Sequence, residues 1–427
     1  MEKKDSSYYR TLIDVVMLAG QIMINSGAET HRVEDMATRM LKTTGFAHAE
    51  AFVLPTGIML TLSDEKEETL SVNRRVLPGA NNFHRICSAN NISRAFCDGK
   101  ITLEEAKAGL EKIKDENIYP VWIKIVGMMI ACGAFTVLFG GTMAEAAVAC
   151  LCGLFVALIN YFLRKPIGRD FICDAVCALA LSMISISVTY LFSLGGITLH
   201  AEYIIVGSIM PLVPGVAITN AIRDVLQGDY LSSCARIVEA LMKAASVAIG
   251  VGVGIVLGNQ LSLISAEIGF SLSMTRTGIL GYLVGALAAS GSTAGFAVIL
   301  EVPKKNIVFS SLVAMLGWIT YLAAFYGDIP VAWASLLGAS VVELLSYSLA
   351  RLRKAPVTTF LIPGIIPMVP GASIYSAAYG IIFSGTASAL LDTVTIAGAI
   401  ALGIIVTDTL MNILAKIKHL LFSGREK

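Results

Sequence analysis

Apolar positions follow two rhythms along this chain. From Tyr9 to Met23, the residues Leu12, Val15, Val16, Leu18, Ala19 and Ile22 fall at helical spacing and predict an amphipathic helix. The stretch "NSGAETHRVEDMATRMLKTTGF" then supplies a break and a second helix, with Ser26 and Glu29 spaced as a capping box, so Ser26 is expected as its N-cap. "AEAFVLPTGIMLTLSD" and "TLSVNRRVLP" predict two strands, with Pro55 bending or bulging the middle of the first. Helices are expected over about 80–97 and 102–115, the second opened by a capping box of Thr102 and Glu105. From Val121 to about Ile413 the rhythm changes to long, nearly uncharged runs: 122–141, 143–163, 171–194, 202–222, 236–257, 278–300, 307–326, 329–350, 360–384 and 391–413. Each is near the ~20 residues that cross a bilayer as a helix.

Two of these runs carry the same interruption. "SIMPLVPGVAITNAIRDVLQGD" begins at Ser208 and "GIIPMVPGASIYSAAYGIIFSG" at Gly364, so Pro211, Val213, Pro214 and Gly215 recur as Pro367, Val369, Pro370 and Gly371. Proline removes a helix hydrogen bond and clashes with the preceding turn, so both runs are expected to break. They are the fourth run in each set of five, and an odd number of spans per set makes the second set enter the membrane from the opposite side. Oppositely directed broken helices are the arrangement of inverted-repeat transporters, where the breaks offer backbone groups to substrate near the midplane. Two ordinary proline kinks are the plainer alternative.

Composition agrees with a polytopic membrane protein: of 427 residues, 56% are hydrophobic and only 15% charged, too few to solvate a soluble surface of that size. The net charge of +1, with no basic stripe interleaved with aromatics, excludes nucleic acid as a partner. The eight cysteines form no CxxC and no metal-ligand spacing with histidine, and Cys150, Cys152, Cys173 and Cys177 lie in apolar runs as packing residues. No cofactor or metal is implied, and the absence of a Walker A sequence removes ATP as the energy source. The first residues lack the pattern of a cleavable signal. Lys and Arg concentrate after runs 2, 4, 6 and 8 and in the tail (Arg164, Lys165, Arg169; Arg223; Lys304, Lys305; Arg351, Arg353, Lys354; Lys416, Lys418, Arg425, Lys427), whereas the intervening loops hold only Arg276. The positive-inside rule then places both termini, and residues 1–120, in the cytoplasm.

Ionisable groups inside spans are costly and therefore candidates for function. Asn220, Arg223 and Asp224 cluster at the end of run 4, Asp229 follows, and Arg236, Glu239 and Lys243 open run 5 at helical spacing. They fit a charge network beside a broken helix, or equally interfacial snorkelling with a simple Glu239–Lys243 i,i+4 pair. Glu343 lies well inside run 8, and Asp408 lies in run 10 one turn from Asn412. A carboxyl in a low dielectric can exchange protons near neutral pH, so both are proton-coupling candidates, Glu343 first. A neutral carboxyl bonded to a neighbouring helix remains the alternative. Tyr375, Tyr379 and Asn160 suit polar substrate atoms or interhelical contacts.

Together "GAETHRVED", "LPTGI", "PLVPGVAITNAIRDVLQGD", "ARIVEAL" and "IPGIIPMVPGASIY" resemble the threonine/serine exporter family over almost the whole chain. The resemblance implies a bacterial inner-membrane exporter of small hydroxy amino acids energised by the proton gradient. Some members carry the second half as a separate polypeptide, and two-chain relatives are linked to dicarboxylate export, so succinate stays open as a substrate. The family's marked positions fall here on Gly27, Glu29, Arg32, Glu34, Pro55, Thr56, Gly57, Pro214, Gly215, Asn220, Arg223, Asp224, Arg236 and Glu239. His31 sits where the family varies.

Glu29, His31, Arg32 and Glu34, with His48 nearby, would also suit acid–base hydrolysis. No nucleophile elbow, HExxH or P-loop accompanies them, so a gate or regulatory domain, its charges paired with Arg74, Arg75 or membrane-proximal loops, is favoured over a membrane-anchored hydrolase. A passive channel is the other rival. The expectation is thus a polytopic α-helical membrane protein. It has ten spans as two inverted five-helix repeats (121–265 and 266–427) broken at spans 4 and 9, behind an N-terminal α+β cytoplasmic domain (1–120). Pro211, Pro214, Gly215, Pro367, Pro370 and Gly371 shape a substrate or gating element, and Arg223 is suited to grip a carboxylate bidentately. The expected partners are threonine, serine or a dicarboxylate, protons and the bilayer; a homo-oligomer stays open.

Overall fold

The computed structural model describes residues 6–46, 48–63, 69–77, 79–226, 228–263, 278–384 and 388–423. They fall into two units, Met1–Tyr119 with Leu300–Lys304, and Pro120–Ile299 with Lys305–Lys427.

In the first unit, helices α1 (Ser6–Asn25) and α2 (Thr30–Lys42) precede strands β1 (His48–Leu54), β2 (Gly57–Ser63) and β3 (Leu70–Arg75), followed by α3 (Phe83–Cys97) and α4 (Leu103–Ile113). The strands pair antiparallel in the order β1-β2-β3. Two expectations change. Pro55 does not bend a single strand: it turns with Thr56 between Leu54 and Gly57, which pair with each other, so the first predicted strand is a hairpin. Nor is Ser26 an N-cap, because α2 begins at Thr30 with Glu29 in the cap position and no side-chain cap bond. Gly27 forces this later start: its φ of +84° belongs to the left-handed region, and a methyl there would sit 2.0 Å from the Asn81 side chain. The Thr102–Glu105 capping box closes in both directions. Alternation along β2 buries Ile58, Leu60 and Leu62 against one face, where the apolar stripe of α1 (Leu12, Val15, Val16, Ala19) completes the core.

A segment distant in sequence finishes this unit. The amides of Phe83 and His84, at the start of α3, donate to the carbonyls of Leu300 and Glu301, each at 2.9 Å. Ile118 N donates to Glu301 Oε2 at 2.9 Å, and Tyr119 Oη donates to the Val302 carbonyl at 2.7 Å. Helix-start amides lack partners within their own helix; here the Leu300 and Glu301 carbonyls supply them. Burial pushes the Tyr119 phenol up to about 12, with the Glu301 carboxylate adding to the effect.

The second unit is helical throughout its described residues. Helices α5 (Val121–Leu138), α6 (Met143–Ile167) and α7 (Asp170–Leu194) lead to two short ones, α8 (Ala201–Ile209) and α9 (Gly215–Leu226), and to α10 (Tyr230–Gln260). Then come α11 (Gly278–Ile299), α12 (Lys304–Phe325), α13 (Val331–Arg353), the short α14 (Thr358–Ile365) and α15 (Gly371–Tyr379), and α16 (Ser388–Ser423). Among the described residues eight helices are long and apolar enough to cross a membrane, and nine if the α14–α15 pair, bent by 53°, counts as one span. The expected fourth run is occupied by α8 and α9, each too short to count alone. Large apolar side chains such as Ile279, Leu280, Leu283 and Leu287 of α11 point outward, as lipid-facing positions do.

Packing in the two halves follows the same scheme. α7 lies along α10, and α13 along α16; α9 packs on α10 and α16, while α15 packs on α16 and α10. Both long pairs run parallel. Gly250 abuts Ala178 and Gly254 abuts Ser182, while Ser340 bonds to the Gly403 carbonyl and Tyr347 to Asn412. Close approach through glycine and alanine, as at Gly127 against Gly295 where α5 crosses α11, is how helices associate without a hydrophobic driving force between them.

Candidate functional site

Both proline motifs break their helices, and the two breaks touch. After Ile209 the chain leaves α8 in a turn whose amides at Leu212 and Val213 donate back to the Ile209 carbonyl at 2.8 and 3.1 Å, and α9 restarts at Gly215. In the second motif Pro367 lies in a tight turn over Ile366–Met368, Val369 N reaches back to Ile365 O at 3.2 Å, and α15 restarts at Gly371. A methyl placed on Gly215 would lie 2.0 Å from Cγ1 of Val369 and 3.9 Å from Cα of Gly371. One placed on Gly371 would lie 3.0 Å from Sδ of Met210 and 3.6 Å from Cγ1 of Val213. The contact is therefore reciprocal: the glycine of each motif faces the valine of the other.

Around the breaks the polar residues divide. Asp224 and Arg236 form an ion pair at 3.0 Å with side chains only 7% and 17% exposed, joining the end of α9 to the start of α10. Ser233 Oγ strengthens that junction through the Ala221 carbonyl at 2.7 Å, and Asp229 caps α10 by accepting from Ser232 N. Glu239 instead pairs with Lys243 at 2.7 Å within its own helix, as in the plainer expectation. Asn220 is half-buried on α9, and the side chain of Arg223 lies outside the described residues. Tyr375 is fully buried, and its ring centroid is 5.9 Å from that of Tyr379.

Glu343 is 1% exposed, on the face of α13 between Ser340 and Tyr347 that meets α16. Tyr347 Oη donates to Asn412 Oδ1 at 3.2 Å and accepts from Arg351, and Asn412 Nδ2 donates to Asp408 Oδ2 at 3.2 Å. A continuous polar chain thus joins Arg351 to Asp408 one turn from Glu343. In the first unit Glu29 and Arg32 pair at 3.4 Å, and Glu34 Oε1 accepts from Val53 N at 2.9 Å beside the Pro55–Thr56 turn. Arg74, one of the partners expected for the motif, instead binds Asp14 at 3.0 Å. His31 and His48 are exposed. Among the described residues no three His, Cys, Asp or Glu side chains gather as metal ligands, and none of the eight cysteines forms a disulfide.

Sequence reasoning missed three buried carboxylates, Glu301 of the first unit among them. Glu145, 1% exposed, accepts from Thr142 N at 2.6 Å and from His200 N at 2.8 Å, its Oε1 lying 3.0 Å from His200 Nδ1. The T-x-x-E spacing of Thr142 and Glu145 carried the signal for it. Asp174, 4% exposed on α7, lies inside the third apolar run, 171–194, where no local pattern singled it out.

A family model described as "Putative threonine/serine exporter" matches residues 14–258, more than half of the chain, and one described as "Threonine/Serine exporter, ThrE" matches residues 285–410. The chain belongs to the threonine/serine exporter family. It is 22% identical over 410 residues to the threonine/serine exporter of Corynebacterium glutamicum, covering 93% of this chain and 83% of that one. A protein of Mycobacterium tuberculosis named "Probable threonine/serine exporter" is 20% identical over 407 residues, 94% of this chain and 75% of its own. A protein of Klebsiella aerogenes named "Probable succinate transporter subunit YjjP" is 22% identical over 254 residues, 58% of this chain and 94% of its own. No solved structure matches. Membership in the threonine/serine exporter family marks this multi-pass protein as a transporter of small molecules, not an enzyme.

Proposed function

We propose that the chain exports threonine and serine in exchange for protons, through two inverted five-helix repeats whose broken fourth and ninth spans hold the substrate. The observation that carries this reading is the reciprocal contact of the two breaks, Gly215 on Val369 and Gly371 against Val213. Two equivalent elements that face each other lie on a pseudo-two-fold axis, where inverted-repeat transporters bind substrate. The matched packing of α7–α10 and α13–α16 supports the same symmetry. On that axis α8 with α9 is the fourth span, and α14 with α15 is the ninth. The Lys and Arg distribution supports an inner-membrane orientation with both termini in the cytoplasm.

Symmetry also isolates the proton-coupling candidate. The α7–α10 and α13–α16 contacts, overlaid, set Ser182 where Glu343 stands, so only the second half carries a carboxyl at that depth. Glu343 therefore carries the proton that drives export, with Asp408 as the nearer acid. Asp224 and Arg236 fasten the first break, and Arg223, Asn220, Tyr375 and Tyr379 line the route. The first unit acts as a gate or regulator, Gly27, Glu29, Arg32, Glu34, Pro55, Thr56 and Gly57 shaping it. Counterflow of labelled threonine, serine and succinate in proteoliposomes tests the substrate. Threonine and serine exchange without succinate is expected. Succinate exchange alone would move the substrate to the dicarboxylate that the name of the Klebsiella aerogenes relative carries.

A further inference from the structure

One buried carboxyl has no role in the reading above. α6 and α7 run antiparallel in one unbroken register: Cys152 Sγ donates to the Leu181 carbonyl at 3.7 Å, Cys177 Sγ to the Val156 carbonyl at 3.9 Å, and Arg164 Nε to Asp170 Oδ1 at 2.9 Å. That register sets Asn160 opposite Cys173 and beside Asp174, one turn inside the Arg164–Asp170 pair. Asp174 is 4% exposed, and among the described residues it makes no hydrogen bond or ion pair. Asn160 Oδ1 is buried and has no hydrogen-bond partner there.

The charges facing Asp174 do not neutralise it. Arg164 on α6 is held by Asp170, and Lys243 on α10 by Glu239 at 2.7 Å; Asp170 itself adds a like charge from α7. Its other close titratable neighbours are the thiols Cys173 and Cys177. On a side chain only 4% exposed, an ionised carboxylate without a partner is disfavoured, and an amide oxygen buried without a donor forfeits a hydrogen bond. One proton answers both. A protonated carboxyl carries a single O–H donor, and the register sets Asn160, with its unpartnered Oδ1, at the matching level of the facing helix.

We propose that Asp174 is a protonation site, its neutral carboxyl donating to Asn160 Oδ1, and that it gives the first half of the protein its own proton-binding position. This rests on the exporter reading only for its use in transport. The site binds a proton from water at the Arg164–Asp170 end and releases it there, with the amide acting as acceptor only. The second half offers the complementary state, in which Asn412 donates to Asp408.

Infrared difference spectroscopy of the full-length protein in lipid, titrated over pH, reads the site directly. The wild type is expected to show the carbonyl stretch of a protonated carboxylic acid, and Asp174→Asn should lose one component of it. Asn160→Val should shift that component to higher wavenumber, because the hydrogen bond to the carboxyl is gone. A band unchanged in Asp174→Asn overturns the proposal; should that variant fail to fold, an unshifted band in Asn160→Val overturns it equally. A wild-type protein whose Asp174 component is absent at every pH, but in which threonine binding weakens in Asp174→Asn, would make the residue an ammonium ligand and also overturn it. Loss of the component, with transport in wild-type proteoliposomes indifferent to the proton gradient, leaves this site standing and removes proton antiport instead.

Discussion

Gly215→Ala puts the reciprocal contact of the two breaks to a quantitative test. The added methyl would lie 2.0 Å from Val369 Cγ1, against an optimum of about 3.5–4.0 Å for carbon pairs. Val369 is β-branched and restricted in χ1, so relief comes from moving one break relative to the other. Overpacking of this kind costs about 1–3 kcal/mol. Imposed on the equilibrium between transport states, that is about 5–150-fold, and threonine counterflow in proteoliposomes should slow within that range while monodisperse protein is still recovered. Gly371→Ala is expected to be mild, since its methyl would press on Met210 Sδ at 3.0 Å, in a flexible side chain that can turn away, and meet Val213 Cγ1 at an ordinary 3.6 Å. The deciding variant is Val369→Ala in the Gly215→Ala background. It deletes the clashing Cγ1 and should restore most of the lost rate, a coupling between residues 154 positions apart in sequence. If the double variant is as slow as Gly215→Ala alone, or if Gly371→Ala is equally damaging, the two breaks do not bear on each other during transport.

Other outcomes follow from single contacts. Arg236→Ala breaks the 3.0 Å ion pair with Asp224, 7% exposed, and should destabilise the purified protein; thermal unfolding in detergent reads this, and Asp224→Ala added to it should cost less than the sum of the two. Glu343→Gln should retain threonine exchange at equal pH and lose gradient-driven export; uphill export unaltered in both Glu343→Gln and Asp408→Asn would remove these acids from the mechanism. Tyr119 holds its proton to about 12 in the fold against an ordinary 10.0, so stability is intact below pH 10 and falls as pH rises from there through about 12. Tyr119→Phe should flatten that alkaline fall in circular-dichroism melts of the full chain, at a cost near 1 kcal/mol at neutral pH for the lost bond to Val302.

The elements that could be read from sequence were those written in local chemistry. Two prolines followed by a glycine strain a helix interior, so both breaks were visible, and Thr102 with Glu105 marked a helix start correctly. Ser26 with Glu29 has the same spacing and failed, because Gly27 takes the chain through a left-handed turn that the letters S-x-x-E do not record. The hairpin at Pro55 was missed because alternation continues on both sides of a two-residue turn. What no local pattern could supply is partnership across long separations: Val369 against Gly215, or Tyr119 against Val302. Asp174 was hidden differently. It lay within the run 171–194 without a capping or repeat pattern to mark it, and only its burial on α7 shows that it has turned inward.

The hydrogen bonds that close the first unit also bear on how such a chain can be divided. Their donors lie at Phe83, His84, Ile118 and Tyr119, and their acceptors at Leu300, Glu301 and Val302. Residues 264–277 fall between the two groups in sequence. A chain severed there would carry the donors on one fragment and the acceptors on the other, and Gly215 would likewise be parted from Val369. Contacts that now serve folding would become a docking interface between two polypeptides, already satisfied in hydrogen bonding and already shaped. Each half thus carries groups that the other satisfies.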